Sequence, residues 1–222
     1  MTLSSLLAFM LGLLVCQSSL VGARAVTILQ ERDDNLPARV PYVFPPPGTN
    51  AIADDIRQRR VNGTLLALDG VLLNAPLVAQ SWNSVADVIR NQNSIPGTMR
   101  ELFILRIAAL NNAAYEWRHE PVGRSEGLTT EQLKAIRFTP VFQSQSARKT
   151  LGSELTAALD FVDWNTKSVE VPIHVFNTLR SFLNDTQMVE ATATTGFYNF
   201  VSRFVEALDV DGKVNTPVPT PE

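Results

Sequence analysis

From Thr49 onward the sequence repeats its apolar residues every three or four positions, and no segment alternates apolar and polar residues as a half-buried strand would. Leu102, Leu105, Ile107, Ala109 and Leu110 form one such series; Phe197, Phe200, Val201, Phe204 and Leu208 form another. Helices are expected at about 51–60, 64–73, 76–92, 99–112, 114–125, 130–137, 147–165, 172–183 and 186–208. Several carry start signals. Thr98-Met99-Arg100-Glu101 and Thr129-Thr130-Glu131-Gln132 read as capping boxes. Pro76 and Pro172 suit first helical turns, and Ser94-Ile95-Pro96-Gly97 reads as a break. The fold class is all-α, a helical bundle in one domain over 48–211. Before it, residues 26–47 are poor in helix signals and end in Pro45-Pro46-Pro47-Gly48, so they read as an extended arm without a packing partner in the helical pattern. After it, residues 212–222 hold three prolines and read as a tail that cannot pack as helix.

The start of the chain has a different character. Leu6 to Val15 is a short apolar run, and Ala23-Arg24-Ala25 is a small-residue cleavage pattern, so residues 1–25 read as a secretory signal peptide. The run is shorter than the roughly 20 residues a membrane span requires, and beyond this leader no membrane association is expected. Cleavage would leave about 197 residues, enough for one sizeable core. It would also remove Cys16, the only cysteine, and with it any disulfide, thiol nucleophile or thiolate ligand. Asn62-Gly63-Thr64 and Asn184-Asp185-Thr186 are N-glycosylation sequons, which agree with a secreted or secretory-lumen protein. The formal net charge is −3 and no basic stripe is present, which argues against a nucleic-acid partner.

The chemistry concentrates in Arg100 to Thr129. One of only two histidines, His119, stands three residues after Glu116, and on a helix such residues share a face. A carboxylate can orient an imidazole and stabilise its protonated form for proton transfer near neutral pH. Glu116 reads either as an exposed helix residue or as that orienting group. Glu101 reads either as the last member of a capping box or as a proton relay facing a cavity. Arg100, Arg106, Arg118 and Arg203 are surface or interhelix ion-pair residues, or hold a substrate carboxylate; Arg106, one turn beyond Glu101, is the foremost of them for substrate binding. Tyr115 and Trp117 are packing residues or aromatic walls for a substrate. His174 lies in an apolar setting and is a minor candidate. Two distant histidines without cysteines do not make a zinc site, and nucleotide-binding and serine-hydrolase motifs are missing, so no metal or cofactor is implied.

The same stretch resembles the carboxymuconolactone decarboxylase-like family, relatives of the alkylhydroperoxidase AhpD proteins. The resemblance rests on Arg100-Glu101-Leu102, Ile104-Leu105-Arg106, Tyr115-Glu116-Trp117, His119-Glu120-Pro121 and Gly127-Leu128-Thr129. Weaker likeness extends from Leu36 to Val210, through Leu36-Pro37-Ala38-Arg39, Asn74-Ala75-Pro76, Leu159 to Asp163 and Tyr198 to Phe204. It implies an all-α AhpD-like bundle, a homo-oligomer and a small-molecule substrate; the arm at 26–47, without a packing partner in the helical pattern, is expected to strap onto a neighbour in such an oligomer. It also implies a lyase-type reaction with His119 and a glutamate as acid and base: decarboxylation, isomerisation or dehydration of a small carbonyl, lactone or carboxylate compound, as in specialised-metabolite biosynthesis. Two departures matter. Ala113 and Glu116 stand where the peroxidase branch carries its two cysteines, so thiol-based peroxide reduction lacks a nucleophile. The interval from Tyr115 to His119 is one residue shorter than the family pattern. A helical binding or assembly protein that kept the fold without the chemistry is the alternative, with a thiol-independent peroxidase-like protein behind it.

Overall fold

The computed structural model describes residues 38–222, which hold nine α-helices and no strand. They are α1 (Ala51–Arg59), α2 (Ala67–Leu72), α3 (Pro76–Asn91), α4 (Gly97–Leu110), α5 (Glu120–Ser125), α6 (Thr130–Phe138), α7 (Arg148–Lys167), α8 (Ile173–Arg180) and α9 (Asp185–Ala207). The leader at 1–25, with Cys16, and the first part of the arm lie outside the described residues. Among those described, no helix is long and apolar enough to cross a membrane.

The bundle is built around α4. Its sequence is apolar on nearly every side from Leu102 to Ala108, and a helix of that kind must be surrounded. It packs against α7, α9, α6, α5 and the 3₁₀ turn Glu116–His119, and every residue from Glu101 to Ala108 is buried. Trp82 of α3 meets Phe197, Phe200 and Phe204 of α9 with ring centroids 4.9–5.3 Å apart, which fastens α3 to α9.

Local signals account for most helix starts. Thr129 caps α6 through a box with Gln132, and Asn184 caps α9 through a box with Gln187. The box expected at Thr98 does not form. Pro96 is the N-cap of α4, its carbonyl accepts from the Arg100 amide at 2.9 Å, and the helix already begins at Gly97. Glu101 therefore lies beyond the first three residues of the helix, free of capping.

Three other expectations change. The helix expected over 114–125 is divided into the 3₁₀ turn Glu116–His119 and α5. Asn112 adopts a left-handed φ of 54°, and Pro121 begins a new first turn. The described part of the arm packs on its own body. The Arg39 amide donates to the Leu208 carbonyl at 2.8 Å, the Val43 amide to the Gly70 carbonyl at 2.9 Å, and Ala38 is buried. The tail is not helical, yet it too is tied down. Arg137 Nε donates to the Pro219 carbonyl at 2.7 Å, Arg124 Nη2 to the Glu222 carbonyl at 2.9 Å, and Val218 is buried.

Candidate functional site

A cavity of about 770 Å³ opens between the ends of α1 and α3, the N-terminal half of α4, the 116–119 turn, α5 and α9. That is within the ~300–1,000 Å³ usual for small-molecule sites. His119 and Glu101 meet on its wall: His119 Nδ1 lies 3.0 Å from Glu101 Oε2. The approach depends on Gly123. A Cβ there would stand 3.1 Å from Leu105 Cδ1 and 3.2 Å from Leu128 Cδ1, so glycine lets α5 close onto α4 and brings the preceding histidine within reach of Glu101.

The bonding fixes the imidazole tautomer. Glu101 can only accept, so Nδ1 carries the hydrogen and Nε2 is the acceptor. Nε2 lies 3.2 Å from the Tyr198 hydroxyl, which donates to it, and Arg90 Nε donates to the same hydroxyl oxygen at 2.7 Å. A chain of donors thus runs from Arg90 through Tyr198 and His119 to Glu101, and Arg100 Nε closes it on Glu101 Oε1 at 3.1 Å. Burial holds His119 below its ordinary 6.5, only partly offset by the hydrogen bond to Glu101, with Arg90 lowering it further. The imidazole is therefore neutral at neutral pH. Burial also pushes the Tyr198 phenol up to about 12, so it remains protonated. The histidine side chain keeps 17% of its surface exposed, and the cavity is where it meets solvent.

Glu116 lines the cavity without orienting His119. It is 2% exposed, and neither carboxyl oxygen has a hydrogen-bond partner. Burial raises its carboxyl well above the usual 4.5, against an opposing pull from Arg90, and so favours the protonated form. An unpaired buried carboxyl is costly as an anion and useful as a donor. Of the two glutamates that could hold His119, the fold selects Glu101, eighteen positions before the histidine.

The other sequence candidates separate cleanly. Tyr115 lines the cavity, accepts the Leu68 amide at 3.3 Å and carries the Arg118 guanidinium 5.2 Å above its ring. Trp117 is buried away from it, its Nε1 donating to Glu120 Oε2 at 2.7 Å. Arg106 does not reach the cavity. It is 1% exposed, and forms a fork with Asp163 at 2.6 and 2.9 Å while donating to the Ile136 carbonyl. Five residues turn an α-helix through about 500°, so Arg106 points roughly 140° away from Glu101 around α4, toward α6 and α7. Arg100 and Arg118 do line the cavity; Arg203 and His174 do not. Arg59, Arg90 and Tyr198 line it as well, and sequence reasoning passed over all three. A tyrosine hydroxyl on the phenylalanine-rich stretch of α9 was the one available signal. The sequon asparagines, Asn62 and Asn184, are both exposed. Asn184 caps α9 with Oδ1, so the nitrogen that would take a glycan is not the capping atom.

No family model matches the sequence, and no curated protein matches it. Solved structures do. A peroxidase-related protein from Silicibacter sp. TM1040 superposes with a TM-score of 0.65 at 17% identity, over 81% of this chain and 93% of the other. An alkylhydroperoxidase AhpD core protein, also peroxidase-related, from Ralstonia eutropha JMP134 gives 0.52 at 21% identity, over 77% and 92%. This chain has an AhpD-like fold. At these identities the likeness speaks for the AhpD-like architecture alone, and the chemistry rests on the residues at the cavity.

Proposed function

We propose that the protein is an acid–base enzyme acting on a small anionic carbonyl or lactone compound, with His119 as the proton-transfer group. The observation that carries this is the single-direction hydrogen-bond chain Arg90–Tyr198–His119–Glu101 on the wall of an arginine-lined cavity. With the hydrogen on Nδ1 held by Glu101, the lone pair on Nε2, which accepts from Tyr198 at rest, is the base. It takes a proton from a carbon next to a carbonyl as the Tyr198 hydroxyl turns aside. The imidazolium formed is stabilised by Glu101, and the same Nε2–H returns the proton elsewhere on the substrate. That sequence isomerises or dehydrates. In a decarboxylation the imidazolium must exist first: the electron pair of the breaking C–C bond forms an enolate as CO₂ leaves, and Nε2–H protonates the enolate carbon. Neutral His119 favours the base-first course at neutral pH. A tailoring lyase of specialised metabolism, routed through the secretory pathway and assembled as a homo-oligomer, fits this chemistry. With Cys16 as its sole cysteine, the chain lacks the thiol pair that peroxide reduction of the AhpD kind would use.

The test is turnover by proton NMR in D₂O over a panel of small β-keto acids and unsaturated lactones, read as deuterium incorporation or CO₂ loss. His119→Ala should lower the rate by about 10²–10⁴ while the helical circular dichroism is unchanged. Glu101→Gln should also lower it sharply, since Glu101 has no capping duty to preserve. Full activity in His119→Ala places the site elsewhere. A folded wild-type chain that turns over nothing in the panel favours the binding-protein alternative.

A further inference from the structure

The arginines of the cavity are not equivalent. Arg60 is forked onto Asp69, Arg100 is held by Glu101 and Glu126, and Arg118 faces Asp211 at 3.5 Å. Arg59 and Arg90 are different. Each is fastened through Nε to a neutral acceptor: Arg59 to Asn83 Oδ1 at 2.6 Å, Arg90 to Tyr198 Oη at 2.7 Å. Among the described residues, neither has a carboxylate within 4.0 Å. Their Nη groups likewise meet no acceptor there. A guanidinium offers five N–H donors in a rigid fork, so a bond at Nε orients it and leaves four for a ligand. The nearby carboxylates are committed. Asp69 takes Arg60, and Asp87 takes the side-chain amides of Asn91 and Gln92.

Neither cation has a directly paired carboxylate, although more distant carboxylates, Glu101 and Asp69 among them, favour the charge on Arg90, and the cost of the pairing falls on Arg59. Burial, then Arg60, then Arg90 lower Arg59 to about 10, so it stays charged at neutral pH but unfavourably. An anion between them relieves that cost. The rest of the cavity narrows the choice of anion. Leu66, Leu68, Val122 and Val201 supply apolar wall, and the Glu116 carboxyl, with no partner of its own, can donate to an oxygen when protonated.

We propose that Arg59 and Arg90 form the oxyanion subsite of this cavity, and that it takes the carboxylate of a small organic acid with an apolar body. This deepens the acid–base reading and rests on it only for the placement of the reacting carbon toward His119; the binding itself needs no catalysis. Arg59 ends α1 and Arg90 lies in the last turn of α3, so only the tertiary fold makes them neighbours.

Titration calorimetry of the full chain at low ionic strength tests this, with benzoate as probe and benzyl alcohol and inorganic phosphate as comparisons. Benzoate should bind at one site, benzyl alcohol should not, and phosphate should bind more weakly than benzoate. Arg59→Gln and Arg90→Gln should each weaken benzoate about tenfold to a hundredfold, as expected for a lost charged hydrogen bond. Arg90 also holds Tyr198, so Arg59→Gln, which leaves the His119 chain untouched, is the decisive variant. His119→Ala should keep benzoate affinity within about twofold while losing turnover, which separates failure of the subsite from failure of the acid–base reading. Unchanged affinity in Arg59→Gln, or no benzoate binding by the wild type, overturns the proposal. Phosphate binding tighter than benzoate overturns the organic-acid assignment.

Discussion

Glu116 carries a carboxyl group in a place where ionising it is expensive, and the consequence is a pH dependence of definite sign. In the unfolded chain the group releases its proton near 4.5, whereas in the folded protein it holds on to it well above that. Between those two values the native state binds the extra proton, so raising the pH favours unfolding. Its contribution is present below 4.5 and lost as the pH rises through the folded value. Glu116→Gln should therefore gain stability over the wild type as the pH is raised from 4 to 8, by about 1–3 kcal/mol at the upper end. Chemical denaturation at both pH values checks this; a difference that stays constant refutes the neutral carboxyl. His119 slopes the other way. Its folded value is depressed, so its contribution is present above 6.5 and is lost as the pH falls below it. His119 was legible as a candidate acid–base residue because it is rare and lies in a recognisable motif. Its partner was harder to choose, since spacing offered Glu116 and only packing could offer Glu101.

At the scale of the element, α4 shows why an arginine in a reactive-looking motif can be structural. Arg106 and Asp163 pin α4 to α7 with 1% and 0% exposure, and the same fork reaches α6 through Ile136 and the following turn through the Phe142 amide. Removing one partner leaves a buried charge without compensation. Arg106→Met should cost about 3–5 kcal/mol, with Arg106→Met combined with Asp163→Leu recovering much of it. Urea unfolding of the two variants decides; a single variant as stable as the wild type would show that the pair is not buried as described. The signal for the pair was in the sequence, in an arginine and an aspartate each set in an apolar run. Nothing in either run said that they face each other. The missed division at Glu116–His119 has a similar origin: Pro121 is compatible with a first helical turn, and only the left-handed Asn112 shows that the chain has already changed direction.

The whole molecule is closed by segments that have no regular structure. The described arm lies across α2 and the end of α9, and the tail lies across α5 and α6, where Arg124, Thr130 and Arg137 all donate to its carbonyls. The arm was expected to be extended and the tail to be non-helical, and neither forms a regular helix over its described proline-containing residues. Where they go was not expected, because an extended strand without a periodic apolar face carries no address. Deleting residues 218–222 should lower the midpoint of thermal unfolding by several degrees, since it exposes the surface beneath Val218 and removes the carbonyl acceptors of Arg137. An unchanged midpoint would mean that the tail contributes nothing to the fold.

What the sequence determined by itself was the kind of structure and the residue types from which a chemistry can be proposed. Helical periodicity, the Thr129 capping box and prolines at first turns are local, and local patterns are written along the chain. The histidine and glutamates that can exchange protons are equally visible as residue types. The tertiary structure decided the partnerships: Glu101 rather than Glu116 for His119, Asp163 rather than a substrate for Arg106, and Arg59 beside Arg90 from two separate helix ends. The reason is physical. Hydrogen bonds and ion pairs act over a few ångströms in space, and in a helical bundle the residues that meet come from different helices, whose order around the core is set by the packing of all of them together.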